Sequence, residues 1–242
     1  MTVAVIVQAR MTSTRLPGKI LMELGGETPL FYVLKRCAMI PGVDVVCCAI
    51  PDTPESDPIE TEAKRCGAEV YRGSESDVLD RYYQAAKMVN ADTIIRITSD
   101  CPLVDPWVCG ETLELFQREG VDFASNNLVS TFPHGIECEV FTFEGLENAA
   151  LNATEPEQRE HVTPWLRKRP EFKRAVLKGP GGGVEKHRWT LDYPEDFELF
   201  QKLFEYIEPW PAVPGWKEIY DVVRRHPELA EINAEFSGHG RA

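Results

Sequence analysis

The stretch VAVIVQARMTSTRLPGK fills residues 3–19. Its first part, Val3 to Val7, is a short apolar run rich in β-branched residues. Such a run suits a strand buried on both faces near the centre of a parallel sheet. The second part, Gln8 to Lys19, turns polar at once and carries Arg10, Arg15 and Lys19. A loop that follows a buried strand lies over the carboxyl edge of the sheet, where open α/β folds bind ligands. Thr12, Ser13 and Thr14 add hydroxyl donors, and Gly18 lets a backbone approach closely. Three cations and short donors in one loop suit a triphosphate. The competing reading is a solvated surface loop whose charge is accidental. The loop is not a Walker A motif: Gly18-Lys19 is followed by Ile20, and no glycine stands five residues before Gly18.

Outward from this stretch the pattern alternates. Pro29 opens a helix whose apolar residues Leu30, Val33, Leu34, Cys37 and Ala38 recur at helical spacing. Asp44 to Ile50 reads as a second strand. Asp57-Pro58-Ile59-Glu60 carries the signals of a helix start, and Gly67 ends that helix. Glu69 to Tyr71 is a third strand, Asp77 to Val89 a helix, and Asp92 to Thr98 a fourth strand. Asp105-Pro106 starts a helix running to about Glu119, with Asp105 as its cap. Asp122 to Ala124 is one more strand. This order predicts an α/β fold with a mostly parallel sheet and helices on both faces.

The rhythm changes after about Asn126. Ile136 to Phe143 alternates like a strand exposed on one face. Glu157 to Arg169 reads as a helix, and 172–177 and 187–191 as strands joined by a glycine-rich turn. Tyr193 to Tyr206 and Trp216 to Arg225 close the chain as helices. No linker or internal repeat divides it. The expectation is one domain over 1–242, with a nucleotide-binding half (1–126), a smaller β-rich lobe (127–185) and a return to the core (186–242). The tail from about Ser237 is expected to be mobile.

Composition narrows the function. The 242 residues include 26 Lys+Arg and 39 Asp+Glu, a formal charge of −13. That balance speaks against nucleic acid or an anionic membrane as partner, since both need a basic face. Yet the first 22 residues hold three cations and no acid. No apolar stretch approaches the roughly 20 residues that span a bilayer. The seven cysteines are odd in number and form no C-x-x-C pair, so neither a disulfide framework nor a thiolate zinc site is expected. A cytoplasmic setting follows.

Further chemistry-bearing segments flank the main loop. Asp100, in RITSDCP, falls just past a buried strand; it reads either as a carboxylate for Mg²⁺ on a phosphate or as a turn former. Asp192, in WTLDYPED, ends a short apolar run and reads either as a second metal ligand or as a helix cap. Asp196 lies in the following first turn, where acids complement the helix dipole. The loop around Ser74 and Asp77 either reads a nucleobase edge or caps a helix. His134, Glu137 and Glu139, and Glu160 with His161, form polar clusters without metal-ligand spacing; they read either as part of a substrate pocket or, by default, as surface or core polar pairs. No G-x-S-x-G elbow and no strand-linked G-x-G-x-x-G occurs.

Taken together, QARMTSTRLPGK, RGSESDVLDRYYQAA, IRITSDCPLVDP, REHVTP and LDYPEDF resemble the cytidylyltransferase-like nucleotidyltransferases of the spore-coat polysaccharide biosynthesis protein F group. These are relatives of the enzymes that make CMP-activated sialic acid and ketodeoxyoctonate. The resemblance runs from Val3 to about Phe204. It implies a Rossmann-like, three-layer nucleotidyltransferase fold and transfer of CMP from CTP to a sugar, sugar acid or sugar or polyol phosphate. By position it implies nucleotide contacts from Gln8, Ala9, Arg10, Ser13, Thr14, Arg15 and Lys19, and from Ser74, Asp77 and Arg81. Lys19, Arg15 and Asp100 would be catalytic, and Asp100 and Asp192 would hold Mg²⁺. His134, Glu137, Glu139, Glu160 and His161 would meet the acceptor, and a homodimer would form through the smaller lobe. The acceptor-pocket sequences of the sialic-acid and ketodeoxyoctonate enzymes are not matched, so the acceptor does not transfer. GTP, ATP or UTP in place of CTP, or nucleotide binding without catalysis, are the rival expectations.

Overall fold

The computed structural model describes residues 1–208 and 210–238. Its first half follows the predicted alternation. Strand β1 (Val3–Gln8) leads to helix α1 (Pro29–Cys37), β2 (Val45–Pro51), α2 (Asp57–Arg65), β3 (Glu69–Gly73), α3 (Val78–Met88), β4 (Thr93–Thr98), α4 (Pro106–Glu119) and β5 (Phe123–Ser125). The second half gives β6 (Glu139–Thr142), α5 (Phe143–Asn152), α6 (Pro156–His161), α7 (Pro164–Lys168), β7 (Arg174–Val176), α8 (Pro194–Leu203), α9 (Trp216–Arg225) and α10 (Glu228–Glu231). The seven strands form one sheet in the order β3-β2-β1-β4-β6-β5-β7. β1 pairs parallel with β2 and β4, while β6 runs antiparallel to both β4 and β5. The architecture is a mixed-sheet α/β sandwich.

Alternation along the central strands sorts their side chains into two cores. Val3, Val5, Val7, Ile95 and Ile97 face α1, α2, α4, α8 and α9. Ala4, Ile6, Ile94, Phe123 and Phe141 face α3, α5 and α7. Burial on both faces is why β1 is apolar without interruption. The helices begin where their caps dictate. Thr28 accepts from the Phe31 amide, and Asp105 accepts from the amides of Trp107 and Val108, as the sequence predicts for Asp105.

The second half departs from expectation in four places. Strand β6 is not exposed on one face; Glu139, Val140 and Phe141 are all buried, because β6 is inserted between β4 and β5. Segment 127–185 builds no separate sheet among the described residues, but lends β6 and β7 to the main one. The helix expected over 157–169 breaks into α6 and α7 at Val162, which has φ 69°. Residues 187–191 form no strand, only a single bridge between His134 and Arg188. That bridge is tight: a Cβ on Gly135, at φ +109°, would stand 2.1 Å from the Trp189 carbonyl oxygen, so only glycine fits.

The cysteines are all unpaired and buried. Burial pushes the Cys47 thiol up to about 12 and the Cys66 thiol up to about 11, so neither is a ready nucleophile. Among the described residues no helix is long and apolar enough to cross a membrane. Of the tail expected to be mobile from Ser237, residues 239–242 lie outside the described residues.

Candidate active site

The loop after β1 curls back on itself and returns a lysine to the interior. The amides of Ser13 and Gly18 both donate to the Met11 carbonyl, at 2.9 and 3.2 Å. Gly18 takes φ 70°, and the chain then makes a single 3-10 turn over Lys19–Leu21. Lys19 is thereby buried, at 8% exposure. A buried ammonium needs all three donors met. Its Nζ donates to the Leu191 carbonyl, to Asp192 Oδ1 at 2.9 Å, and more weakly to Asp100 Oδ2 at 3.5 Å. Arg15 closes the same group: its Nη2 lies 2.8 Å from Asp192 Oδ1, and its guanidinium sits over the Tyr193 ring at 4.9 Å.

Two further segments complete the site. Asp100 follows β4, at the same sheet edge as the loop. The Leu191 amide donates to the Asp100 carbonyl at 2.7 Å, and Thr190 Oγ1 donates to it at 3.2 Å. The two aspartates, 92 residues apart in sequence, are thus tied together through the Asp100 carbonyl and the two residues before Asp192. Of the two readings open for Asp192, the cap is not taken, since Tyr193 occupies that position on α8. The Asp192 carboxylate instead spans cations: Oδ1 takes Lys19 and Arg15, and Oδ2 takes Arg188 Nη2 at 3.0 Å.

Electrostatics follow from this packing. Burial alone would raise the Asp192 carboxyl, but Lys19 and Arg15 outweigh it and hold it well below the usual carboxylate range. Burial alone would lower Lys19, but Asp100 and Asp192 reverse that and raise it. Lys19, Arg15 and Asp192 are therefore held in their charged forms, with cations and carboxylates interleaved. Released from one another, the cations suit phosphate oxygens and the carboxylates suit a hard metal ion.

The other residues singled out in the sequence fall into three groups. Arg10 and Thr14 are exposed on the loop, and the buried Ala9 donates its amide to the Ala49 carbonyl at 3.2 Å. Ser13 Oγ accepts from the Leu16 amide at 3.4 Å and so shapes the loop. In the second loop, Ser74 Oγ accepts from the Asp77 amide, and Asp77 caps α3 and pairs with Arg159. Arg81 is buried and donates to the Ser74 and Glu75 carbonyls. Arg81 and Asp77 therefore hold the second loop in shape. Thr12 Oγ1 donates to Glu75 Oε1 at 3.1 Å, which sets the two loops side by side.

The residues expected at the acceptor divide. Glu160 and His161 are exposed at the end of α6. His134 is 7% exposed, with Nδ1 3.3 Å from Arg188 Nη1, and Glu137 accepts from the Gly135 amide at 2.6 Å. Glu139 departs from expectation. It is 2% exposed and both oxygens are engaged inside the protein: Arg96 Nη1 at 2.7 Å, Arg167 Nε at 2.8 Å and Thr163 Oγ1 at 3.0 Å. Gln8 joins the same network, accepting from Arg96 Nη2 at 3.2 Å. A carboxylate so committed braces the sheet under the site. Sequence reading also passed over Arg188 and Asn233, and took Asp196 only as a helix-dipole acid. Asp196 is fully buried and binds Arg188 at 2.9 and 3.0 Å.

The Glu139 network gives a pH prediction. Burial would raise its carboxyl, but Arg96 and Arg167 prevail and hold it below the ordinary value. Its contribution to stability is thus complete above the unfolded-state value of about 4.3 and is lost as pH falls through the lower folded value. Glu139→Gln is expected to cost about 3–5 kcal/mol at pH 7, since two guanidiniums would then face a neutral amide. The deficit against the wild type should shrink between pH 5 and pH 3 in urea melts (the window follows from the roughly 4.3 reference).

Comparisons with known proteins agree with the geometry. Residues 4–209 match the Cytidylyltransferase family. A solved cytidylyltransferase from Leptospira borgpetersenii superposes with a TM-score of 0.89 at 32% identity, covering 95% of this chain and 97% of that one. The spore coat polysaccharide biosynthesis protein SpsF of Bacillus subtilis is 32% identical over 232 residues, 93% of this chain and 95% of SpsF. The CMP:2-keto-3-deoxy-manno-octonic acid synthetase, solved with CTP, shares the fold at a TM-score of 0.63 and 19% identity, covering 85% of this chain and 99% of that one. An extended β1 loop that buries its lysine between two aspartates, on a sandwich of this topology and with these likenesses, places the chain in the cytidylyltransferase family of nucleotidyltransferases.

Proposed function

We propose that the protein transfers CMP from CTP to a small sugar-like acceptor, with loss of pyrophosphate, using Mg²⁺ held by Asp100 and Asp192. The observation that carries this reading is Lys19, buried between those two carboxylates at the carboxyl edge of the sheet. The donor set fits a divalent cation of this kind. No group of three or more acidic, histidine or cysteine side chains gathers as a metal cage among the described residues. Mg²⁺ is commonly held by one or two carboxylates and completed by water and substrate phosphates. When bound, such an ion offsets charge on the phosphates and lowers the barrier to attack at phosphorus.

The chain's own groups do the rest. Lys19, Arg15 and Arg10 bind the triphosphate and fix its direction, and Gly18 and Ser13 shape the loop that carries them. An acceptor oxygen attacks the α-phosphorus in line. A new P–O bond forms, the bond to the β-phosphate oxygen breaks, and the pyrophosphate leaves with that electron pair. The acceptor proton passes to solvent. Catalysis is then positioning and charge stabilisation, as expected for transfer at phosphorus. SpsF, named for spore coat polysaccharide biosynthesis, supports a sugar-like acceptor, and the synthetase solved with CTP supports that nucleotide.

The test is pyrophosphate release with CTP, GTP, ATP or UTP, Mg²⁺, and a panel of sugar acids, sugar phosphates and polyol phosphates. Release above background with CTP and at least one acceptor is expected. Release only with another nucleotide, or binding of CTP with no release across the panel, would overturn the proposal.

A further inference from the structure

We propose that Arg188 is a positioning residue: it sets the plane of the Asp192 carboxylate so that one oxygen is kept for the divalent cation and the phosphate-binding cations. The inference rests on the nucleotidyl-transfer reading above and concerns a residue that reading does not use.

Arg188 is 2% exposed, so its guanidinium cannot act on the triphosphate from the surface. A charge this deep must be paired in good geometry or it destabilises the fold. Its Nε and Nη2 form a two-pronged contact with Asp196, at 2.9 Å to Oδ1 and 3.0 Å to Oδ2. The same Nη2 also donates to Asp192 Oδ2 at 3.0 Å. Nη1 lies 3.3 Å from His134 Nδ1. The assembly is anchored from behind by Asn233, whose Nδ2 donates to Asp196 Oδ1 at 2.8 Å and to the Arg188 carbonyl at 3.0 Å.

Two consequences follow for Asp192. Its backbone is fixed, because Asp196 Oδ2 accepts from the amides of Asp192 at 2.8 Å and Tyr193 at 3.0 Å. Its side chain is fixed as well, because Arg188 holds Oδ2 and leaves Oδ1 to Lys19 and Arg15. One rotatable carboxylate thereby gets a permanent side and an exchangeable side. A lone buried cation on Oδ2 would also drain charge from the carboxylate and compete with a metal ion. Arg188 avoids this because Asp196 offsets its charge. It orients Asp192 as a hydrogen-bond donor inside a neutral pair. Partners of this kind, which hold a ligating carboxylate from behind, typically matter 10–100-fold for metal affinity.

The experiment uses the full chain with Mn²⁺ as the probe. Free Mn²⁺ is read by its electron paramagnetic resonance signal, with protein in excess over CTP so that little free nucleotide remains to chelate the ion, for wild type, Arg188→Met, Arg188→Lys and Asp192→Asn. Wild type should bind Mn²⁺ and Asp192→Asn should lose that binding. Arg188→Met should weaken it about 10–100-fold, while its affinity for CTP without metal stays within about twofold, since Lys19 and Arg15 remain. Arg188→Lys should recover only part, because a single ammonium cannot serve Asp196 with two bonds and reach Asp192 as well. If Arg188→Met does not fold, Asn233→Ala keeps every charge and loosens only the anchor. It should weaken Mn²⁺ binding several-fold in the same direction. A merely structural role would lower the melting temperature and leave the Mn²⁺ affinity of the folded protein unchanged. That result, in Arg188→Met or failing it in Asn233→Ala, overturns the proposal. If wild type binds no Mn²⁺ with CTP, the metal reading fails and this inference falls with it. If Asp192→Asn loses Mn²⁺ and the folded Arg188 variant does not, only this inference fails.

Discussion

Replacing Lys19 by alanine is expected to slow pyrophosphate release from CTP by about a hundredfold or more. Removing one fixed charge contact at a centre of developing charge typically costs 10²–10³ in rate, about 3–4 kcal/mol of barrier. Lys19 belongs in that class because its ammonium is placed before substrate arrives, among the Leu191 carbonyl, Asp192 and Asp100. Stability should also fall, by about 3 kcal/mol, the lower end for breaking a buried ion pair. The lower end applies because Arg15 and Arg188 still face Asp192. Addition of Mg²⁺ should recover part of that stability, since a bound cation then replaces the missing ammonium between two carboxylates. Lys19→Arg is not expected to restore turnover, because a planar guanidinium cannot reproduce three convergent bonds from one nitrogen. Single-turnover release, together with circular dichroism melts with and without Mg²⁺, checks all four. Full turnover in Lys19→Ala would remove the lysine from the mechanism.

The second large effect separates binding from chemistry. Asp192→Asn is expected to abolish measurable turnover, a loss of at least about a hundredfold, while binding CTP in the absence of metal at least as well as the wild type. The reason is charge. In the free protein Asp192 occupies Lys19 and Arg15, which under the proposed reaction a triphosphate must win over. An amide there releases both cations to the phosphates and forfeits the metal carboxylate. Asp100→Asn should act in the same sense but more weakly on metal-free binding, since its contact to Lys19 is longer, 3.5 Å against 2.9 Å. Titration calorimetry with CTP, with and without Mg²⁺, beside turnover gives the comparison. Weaker metal-free CTP binding in Asp192→Asn would show that Asp192 does not compete with the phosphates.

The parts of this molecule that could be read from sequence are those whose physics is local. Val3 to Val7 is apolar because β1 is covered on both faces, and the loop after it is basic within a few residues. Asp100 and Asp192 stood out because each ends a buried run near the same edge. The resemblance to nucleotidyltransferases joined them into one site. Glu139 and Arg188 mark where such reading stops. The alternation of Ile136 to Phe143 suggests a half-exposed strand, and Glu139 lies on its polar side. Its charge is tolerated in the interior because Arg96, 43 residues before it, and Arg167, 28 residues after it, converge on it. Arg188 likewise looks like one more basic residue after Lys186 and His187, until Asp196 on α8 and Asn233 just after α10 close on it. The break at Val162 was within reach, since Thr163-Pro164 is a restart signal inside the presumed helix. Local patterns carry strands and caps; buried ion pairs depend on partners that only the fold brings near.

The proposed reaction requires CTP and a divalent cation to meet at residues 10–19, Asp100 and Asp192. A crystal of the wild-type protein grown with CTP and Mn²⁺, with anomalous data at the manganese edge, tests it directly. A manganese peak is expected between the Asp100 and Asp192 carboxylates, with the triphosphate against Arg10, Arg15 and Lys19. Manganese held by other residues, or CTP bound away from the β1 loop, would contradict it.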